Sequence, residues 1–323
     1  MLLQHKEGIS LRYFDLHCDT MTECFLHDKH LKENDLHVNL QKAQAMETYA
    51  QCYAVWIPDS LRGDAAFQRF CEIADRFQEE AAANREPLSV CRQPGDLAQA
   101  AAKKKHAAVL TVENGAALGG KLENIQAFRD RGVKMCTLTW NGENELGRGV
   151  GAEGNTGLSD FGRQAVKGLE EAGIVIDLSH ASPALFYDAA EVSQKPLAAS
   201  HSNAKSVCSH PRNLTDEQFC IIRDSGGLVG LNFYKAFLHD EPEKASMEDV
   251  LRHAEHFLAL GGENTLAMGG DWDGAALPKD MADGLGAVPR LYELFLKHNY
   301  PESLVKKIFY ENGACFFQKQ NLL

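Results

Sequence analysis

No stretch of this 323-residue chain stays apolar for the roughly 18 residues that a membrane-crossing helix needs. Its opening residues, MLLQHKEGISLRYF, hold no apolar run of the roughly 7–15 residues found in a secretory leader. The expected compartment is the cytoplasm, with no membrane partner. A cationic surplus is also missing: 45 acidic against 33 basic side chains leave a formal net charge of -12, spread along the chain, which argues against nucleic acid as a partner. The nine cysteines include no CxxC pair, and several sit inside apolar runs, so they are expected to be free thiols packed as small hydrophobes. No low-complexity linker or break in composition divides the chain, so residues 1–323 read as one domain.

What is present is the composition of an ordinary folded domain, 44% hydrophobic and 24% charged, written as a repeated alternation of short β-prone runs and amphipathic helical stretches. That rhythm predicts a parallel sheet with helical crossovers. Eight runs qualify as strands: Arg12 to His17, Ala50 to Ile57, Ala107 to Glu113, Met135 to Thr139, Ile174 to Ser179, Leu197 to Ser200, Leu228 to Phe233 and Leu266 to Gly269. Eight strands in a chain of this length predict a (β/α)8 TIM-like barrel with extra C-terminal helices. Helical spacing over Asp64 to Asn84, a capping box at Thr215 to Gln218, an N-cap at Ser182 before Pro183, and the segment Met247 to Leu260 mark crossover helices. The glycine-rich stretch Asn141 to Gly157 buries little and reads as a loop over the barrel mouth.

Polar residues interrupt the apolar strands at their C-terminal ends: His17 and Asp19, Glu113, His180, His201, and Asp271 with Asp273. In a (β/α)8 barrel those ends meet on one face, where active sites of this architecture are built. Imidazoles and carboxylates together suit zinc, whereas calcium and magnesium favour shells of oxygen. A lone histidine is more often a hydrogen-bonded polar residue than a ligand; five such residues at strand ends call for a metal. The i, i+2 spacing of His17 and Asp19 turns both side chains to one side and Cys18 to the other. Arg212 follows His201 closely enough to hold a substrate carboxylate, and Asp271, after Gly269-Gly270, can carry a proton beside the metal.

The motifs FDLHCDT, LTVENGAAL, LTWNGEN, GLSDFG, DLSHAS, ASHSNAKSVCSHPRN and GGDWDG occur in this order. In them the chain resembles the membrane dipeptidase (renal dipeptidase) family of binuclear zinc peptidases, as a soluble bacterial-type member. The resemblance implies a distorted (β/α)8 barrel, usually dimeric, with two zinc ions per chain. His17 and Asp19 would hold one ion, His180 and His201 the other, and Glu113 both. It further implies that Arg212 binds the free C-terminal carboxylate of a dipeptide, that Asp271 is the general acid and base, and that a D-residue is tolerated at the C-terminal position. The expected reaction is hydrolysis of a dipeptide by a hydroxide bridging the zinc ions.

Trp140 departs from the pattern, standing where many family members have a histidine that helps to polarise the substrate. Asn141, Asn144 and Arg148 in the following loop are candidates for that role, with the zinc ions alone as the alternative. Leu16 and Cys18 replace a common glycine and asparagine without removing a ligand. Two rival readings are a different amidohydrolase-like metal enzyme, acting on a lactone or phosphoester or deaminating a base, and a barrel that binds without catalysis.

Overall fold

The computed structural model describes residues 11–154 and 156–323. The N-terminal stretch read for a leader, with His5, lies outside the described residues, as does Asn155 of the glycine-rich loop.

Among the described residues nine strands form one parallel sheet: β1 (Arg12–Cys18), β2 (Thr48–Trp56), β3 (Leu88–Val90), β4 (His106–Glu113), β5 (Val133–Thr137), β6 (Val175–Asp177), β7 (Ala198–Ala199), β8 (Leu228–Leu231) and β9 (Leu266–Met268). β2 pairs both β1 and β4, and β1 pairs β9, so eight strands close a barrel in the order β1-β2-β4-β5-β6-β7-β8-β9. These are the eight runs expected from the sequence. β3 is additional: three residues long, it pairs only with His106 to Ala108 at the lower end of β4, too short to give a periodic signal.

Several strands stop earlier than their apolar runs, and side-chain acceptors explain where. Asp177 Oδ1 accepts from the backbone N–H groups of Ser179 and Ser200, Asn203 Oδ1 accepts from Asn232 N, and Asp15 Oδ2 accepts from Gly270 N. Above β6, β7, β8 and β9 the ladder is thus replaced by buried polar side chains, which satisfy the backbone while the strands splay around the mouth.

The core has two layers. Phe14, Leu16, Cys52, Val109, Met135, Val175 and Leu228 fill the barrel, which Tyr310 and Phe317 close from below. Outside it, alternate residues such as Val55, Leu110, Val112, Ile176 and Leu231 meet the crossover helices. The first long helix, Gly63–Ala83, buries Phe70, Ile73, Ala74 and Phe77, one face at 3.6-residue spacing. Helices Pro183–Val192 and Asp216–Asp224 start at the expected Ser182 and Thr215 caps, the latter a complete capping box. The C-terminal helices are more broken than the sequence predicts: after Val288–Lys297, the segment Glu302–Lys319 is interrupted by a π turn at Lys307–Glu311. None of the nine cysteines forms a disulfide, and among the described residues no helix is long and apolar enough to cross a membrane.

Candidate metal centre

Each ligand candidate reaches the barrel mouth for a local reason. In β1 the register with β2 slips between Asp15 and Cys18, so Leu16 and His17 together oppose Cys52. A bulge of this kind re-aims side chains: Leu16 joins the barrel interior, His17 enters the polar cluster above it, and Cys18 packs in the outer layer. Asp15 fixes this bulge. Completely buried, it accepts from Tyr13 Oη at 2.5 Å, Gly270 N at 3.0 Å and Trp272 Nε1 at 3.0 Å, tying the segment that carries His17 and Asp19 to the one that carries Asp271. Glu113 ends β4 in phase with the inward Ala107 and Val109. His180 and Asp271 sit in the left-handed region at φ of 66° and 56°, conformations that are costly for such residues and that cluster at functional sites.

Glu113 lies between two groups. Its Oε2 is 3.5 Å from His17 Nε2, which is itself 3.6 Å from Asp19 Oδ2; its Oε1 is 2.9 Å from His180 Nε2 and 3.6 Å from His201 Nε2. The two histidine Nε2 atoms face each other at 3.0 Å, and Asp271 Oδ1 lies 4.0 Å from His17 Nε2. All of these residues are at most 9% exposed.

A metal fits this arrangement by a test independent of resemblance. His17 Nε2 and Asp19 Oδ1 are buried without a hydrogen-bond partner, and an orphaned buried polar atom is costly unless an ion or water satisfies it. The donors are three imidazole nitrogens and three carboxylates, and His17, Glu113 and His201, as well as His17, Asp19 and Asp271, bring ligand atoms within 4.8 Å of one another. Burial pushes Asp19 up to about 7, helped by the charge of Glu113, and burial likewise raises Asp271. Burial works to raise Glu113 too, but His17 and His180 hold it well below the usual carboxylate range. Burial lowers His180 to about 4, with repulsion from Arg212, and lowers His201 well below its ordinary value, with repulsion from His17 and then Arg212, which favours the neutral imidazole at both. At His17 burial works to lower the imidazole, but Glu113 and Asp19 raise it well above its ordinary value, so the cluster draws positive charge that a bound cation would supply in place of that proton.

The surrounding residues orient the candidate ligands. Asn141 Oδ1 lies 2.9 Å from His180 Nδ1; an amide oxygen only accepts, so Nδ1 carries the proton and Nε2 offers its lone pair to the centre. Ser200 Oγ, 2.7 Å from His201 Nδ1, also donates to Asp177, which accepts from Thr137 Oγ1 at 2.7 Å as well. Asn232 Nδ2 donates to Asp271 Oδ2 at 2.9 Å. Arg212, 5% exposed, donates to Ser202 Oγ and to the His201 carbonyl, and its Nε has no partner. Asp273, which follows Asp271 after β9, accepts from Thr20 Oγ1 and the backbone of His37, fastening the loop after β1.

The loop after β5 divides its candidates. Asn141 lines the cavity but is engaged by His180. Asn144, expected to contact substrate, spends its amide on Asn114 Oδ1, the Leu138 carbonyl and the N–H groups of Leu146 and Gly147; it holds the loop together. Arg148 pairs with Glu143 and the Glu153 carbonyl, outside the centre. Trp140 packs at 5.1 Å against Trp56, nearly perpendicular, with its ring 6.3 Å from that of His180. Sequence reasoning missed Asp15, Asp177 and Asn232. The first two carried a usable signal, a carboxylate inside an apolar strand run two or three residues before a candidate ligand histidine. A cavity of about 470 Å³ opens over the centre, lined by Trp56, Trp140, Tyr234 and Phe237 beside Asp19, Glu113, His180 and Asp271.

Fold and centre together define a metal-dependent hydrolase on a (β/α)8 barrel. The chain belongs to the membrane dipeptidase family, peptidase family M19, whose model matches residues 9–320. A Klebsiella pneumoniae protein encoded in the pqqA 5' region is 33% identical over 234 residues, 70% of this chain and 86% of that protein. Among solved structures, a Rhodobacter sphaeroides metallopeptidase liganded with a phosphinate mimic of the dipeptide L-Ala-D-Ala superposes with a TM-score of 0.90 at 26% identity, over 97% of this chain and 100% of that one. A dipeptidase described as a metallopeptidase of family M19 gives 0.91 at 27% identity, over 97% and 99%. The chain is a metallo-dipeptidase.

Proposed function

We propose that this single-domain enzyme cleaves dipeptides with two zinc ions, one held by His17 and Asp19, the other by His180 and His201, and both by Glu113. The observation that carries the reading is the division of Glu113, one oxygen toward His17 and the other toward His180 and His201. A mixed set of imidazoles and carboxylates favours zinc over calcium or magnesium. Bound there, the ions supply a water of lowered pKa and positive charge for a developing oxyanion.

The chain's own groups do the rest. Asp271, raised by burial and held at Oδ2 by Asn232, has Oδ1 free to take a proton from the attacking water and return it to the leaving amine nitrogen. Arg212 clamps the C-terminal carboxylate of the substrate. Its unspent Nε donor and its enclosure beside His201 support that role. A clamp so close to the ligands leaves room for one residue after the scissile bond, which limits the enzyme to dipeptides. Tolerance of a D-residue there belongs to the same proposal, supported by the D-Ala of the mimic in the Rhodobacter protein. A homodimer in the cytoplasm completes it, on family resemblance and composition.

Steady-state kinetics on a dipeptide test these roles. Asp271→Asn lowers kcat by roughly 10²-fold or more with metal retained, and Arg212→Ala mainly raises KM. Full activity of the first variant removes Asp271 as the proton carrier; an unchanged KM in the second removes the clamp.

A further inference from the structure

The structure assigns the Trp56–Trp140 corner of the cavity, with Glu23, as a subsite for a basic side chain on the N-terminal residue of the dipeptide. The inference rests on the reading of Arg212 as the carboxylate clamp. Four observations carry it.

The first is position. Arg212 lies on the loop after β7 and bonds to Ser202 and His201 at the head of that loop. In the ring of eight barrel strands, β7 stands four places from β2, directly across the mouth, and Trp56 ends β2. A dipeptide with its carboxylate at Arg212 and its scissile carbonyl over Glu113 therefore points its N-terminal residue toward Trp56 and Trp140.

The second is the shape of that corner. The two indoles meet edge to face, at 77° and 5.1 Å between ring centres, and both line the cavity. Such a pair makes a rigid corner rather than a flexible surface. Trp140 thus presents an apolar face to the cavity next to Trp56.

The third is charge. Arg212 stands behind the cavity, its guanidinium 5.6 Å from the ring centre of Phe237, which lines it; the lining itself includes no lysine or arginine, while Glu23 and Thr22 line it beside Trp56. Thr22 Oγ1 accepts from Trp56 N at 3.1 Å, which fixes the helix carrying Glu23 against the end of β2. The fourth is availability. Among the described residues Glu23 has one ion-pair partner within 4 Å, His27 at 3.4 Å, whose side chain is 58% exposed, and Lys29, which feels its charge, is already bonded to Asp35. Unlike Asp19, Glu113 and Asp271, Glu23 lies outside the ligand cluster. A carboxylate beside indole faces attracts a guanidinium or ammonium both by its charge and by the ring quadrupoles.

The test compares Arg-Ala, Phe-Ala and Ala-Ala as substrates of the metal-loaded enzyme. The subsite predicts a kcat/KM for Arg-Ala roughly tenfold above that for Ala-Ala, the order of a partly desolvated cation–π contact, and above that for Phe-Ala. Glu23→Gln and Trp140→Ala should each lower the ratio of Arg-Ala to Ala-Ala. A preference for Phe-Ala, equal rates on all three, or ratios unmoved by both variants would overturn the subsite and leave the dipeptidase reading intact. Hydrolysis of none of the three would overturn both.

Discussion

Removal of the Asn141 side chain is the sharpest probe of how the centre is built. In the wild type its Oδ1 accepts the Nδ1 proton of His180 at 2.9 Å, so Nε2 faces Glu113 with its lone pair. The His180 backbone is held separately, by Val150 N donating to its carbonyl at 2.8 Å, so Asn141→Ala deletes the orienting bond and spares the loop. Loss of an outer partner of a metal-bound histidine typically costs 10- to 100-fold in metal affinity, about 1.4–2.7 kcal/mol. No bond joins Asn141 to His17 or Asp19, so only one of two bound equivalents should weaken. Titration of the metal-loaded protein with a competing chelator resolves the two. The expected curve for Asn141→Ala has one equivalent released at a lower chelator concentration and the other as in the wild type, and Asn141→Asp, a stronger acceptor, restores or tightens it. Release of both equivalents as in the wild type, or equal weakening of both, refutes the assignment.

Two further perturbations address other parts of the molecule. A Cβ at Gly274 would collide with Asp19 Oδ2 and come within 2.6 Å of Asp271 Oδ1, so Gly274→Ala should displace both carboxylates, and metal content and kcat should fall together; a fully active, metal-replete variant contradicts the geometry. His253, completely buried, accepts from Ala204 N at Nδ1 and donates to the Leu238 carbonyl at Nε2, and burial lowers its pKa to about 4. Between pH 6.5 and 4 the unfolded chain therefore binds a proton that the folded chain refuses. The stabilising term is complete above pH 6.5 and lost as pH falls through that window, by up to roughly 3 kcal/mol. Urea melts at pH 7 and pH 5 should show a smaller acid loss for His253→Gln than for the wild type; equal losses exclude the mechanism.

The parts of this fold that repeat were legible in the sequence. Eight apolar runs, each bounded by polar residues, and helices opened by Ser182 and Thr215 follow from periodicity and capping, and the gathering of the strand-end histidines and carboxylates follows from the barrel's convergence. The parts that depend on contacts between distant segments were not. Asp177 and Asp15 look like interruptions of a strand until the neighbouring strands bring backbone donors to them. The bulge that turns His17 inward lies in the register of β1 against β2, and a single chain's spacing does not encode it. Asn141 and Asn144 are two amides in one polar loop; only the fold separates the one that meets His180 from the one that closes the loop. β3 is too short to register, and the π turn near the C-terminus has no composition cue.

The central claim is that Glu113 joins two metal positions, and metal stoichiometry tests it most directly. Protein stripped by chelator and titrated with zinc should bind two equivalents per chain, with dipeptide hydrolysis complete only after the second. Glu113→Gln should weaken both equivalents, whereas His201→Ala should weaken one. Saturation at a single equivalent with full activity, or two equivalents that Glu113→Gln leaves untouched, would contradict the account.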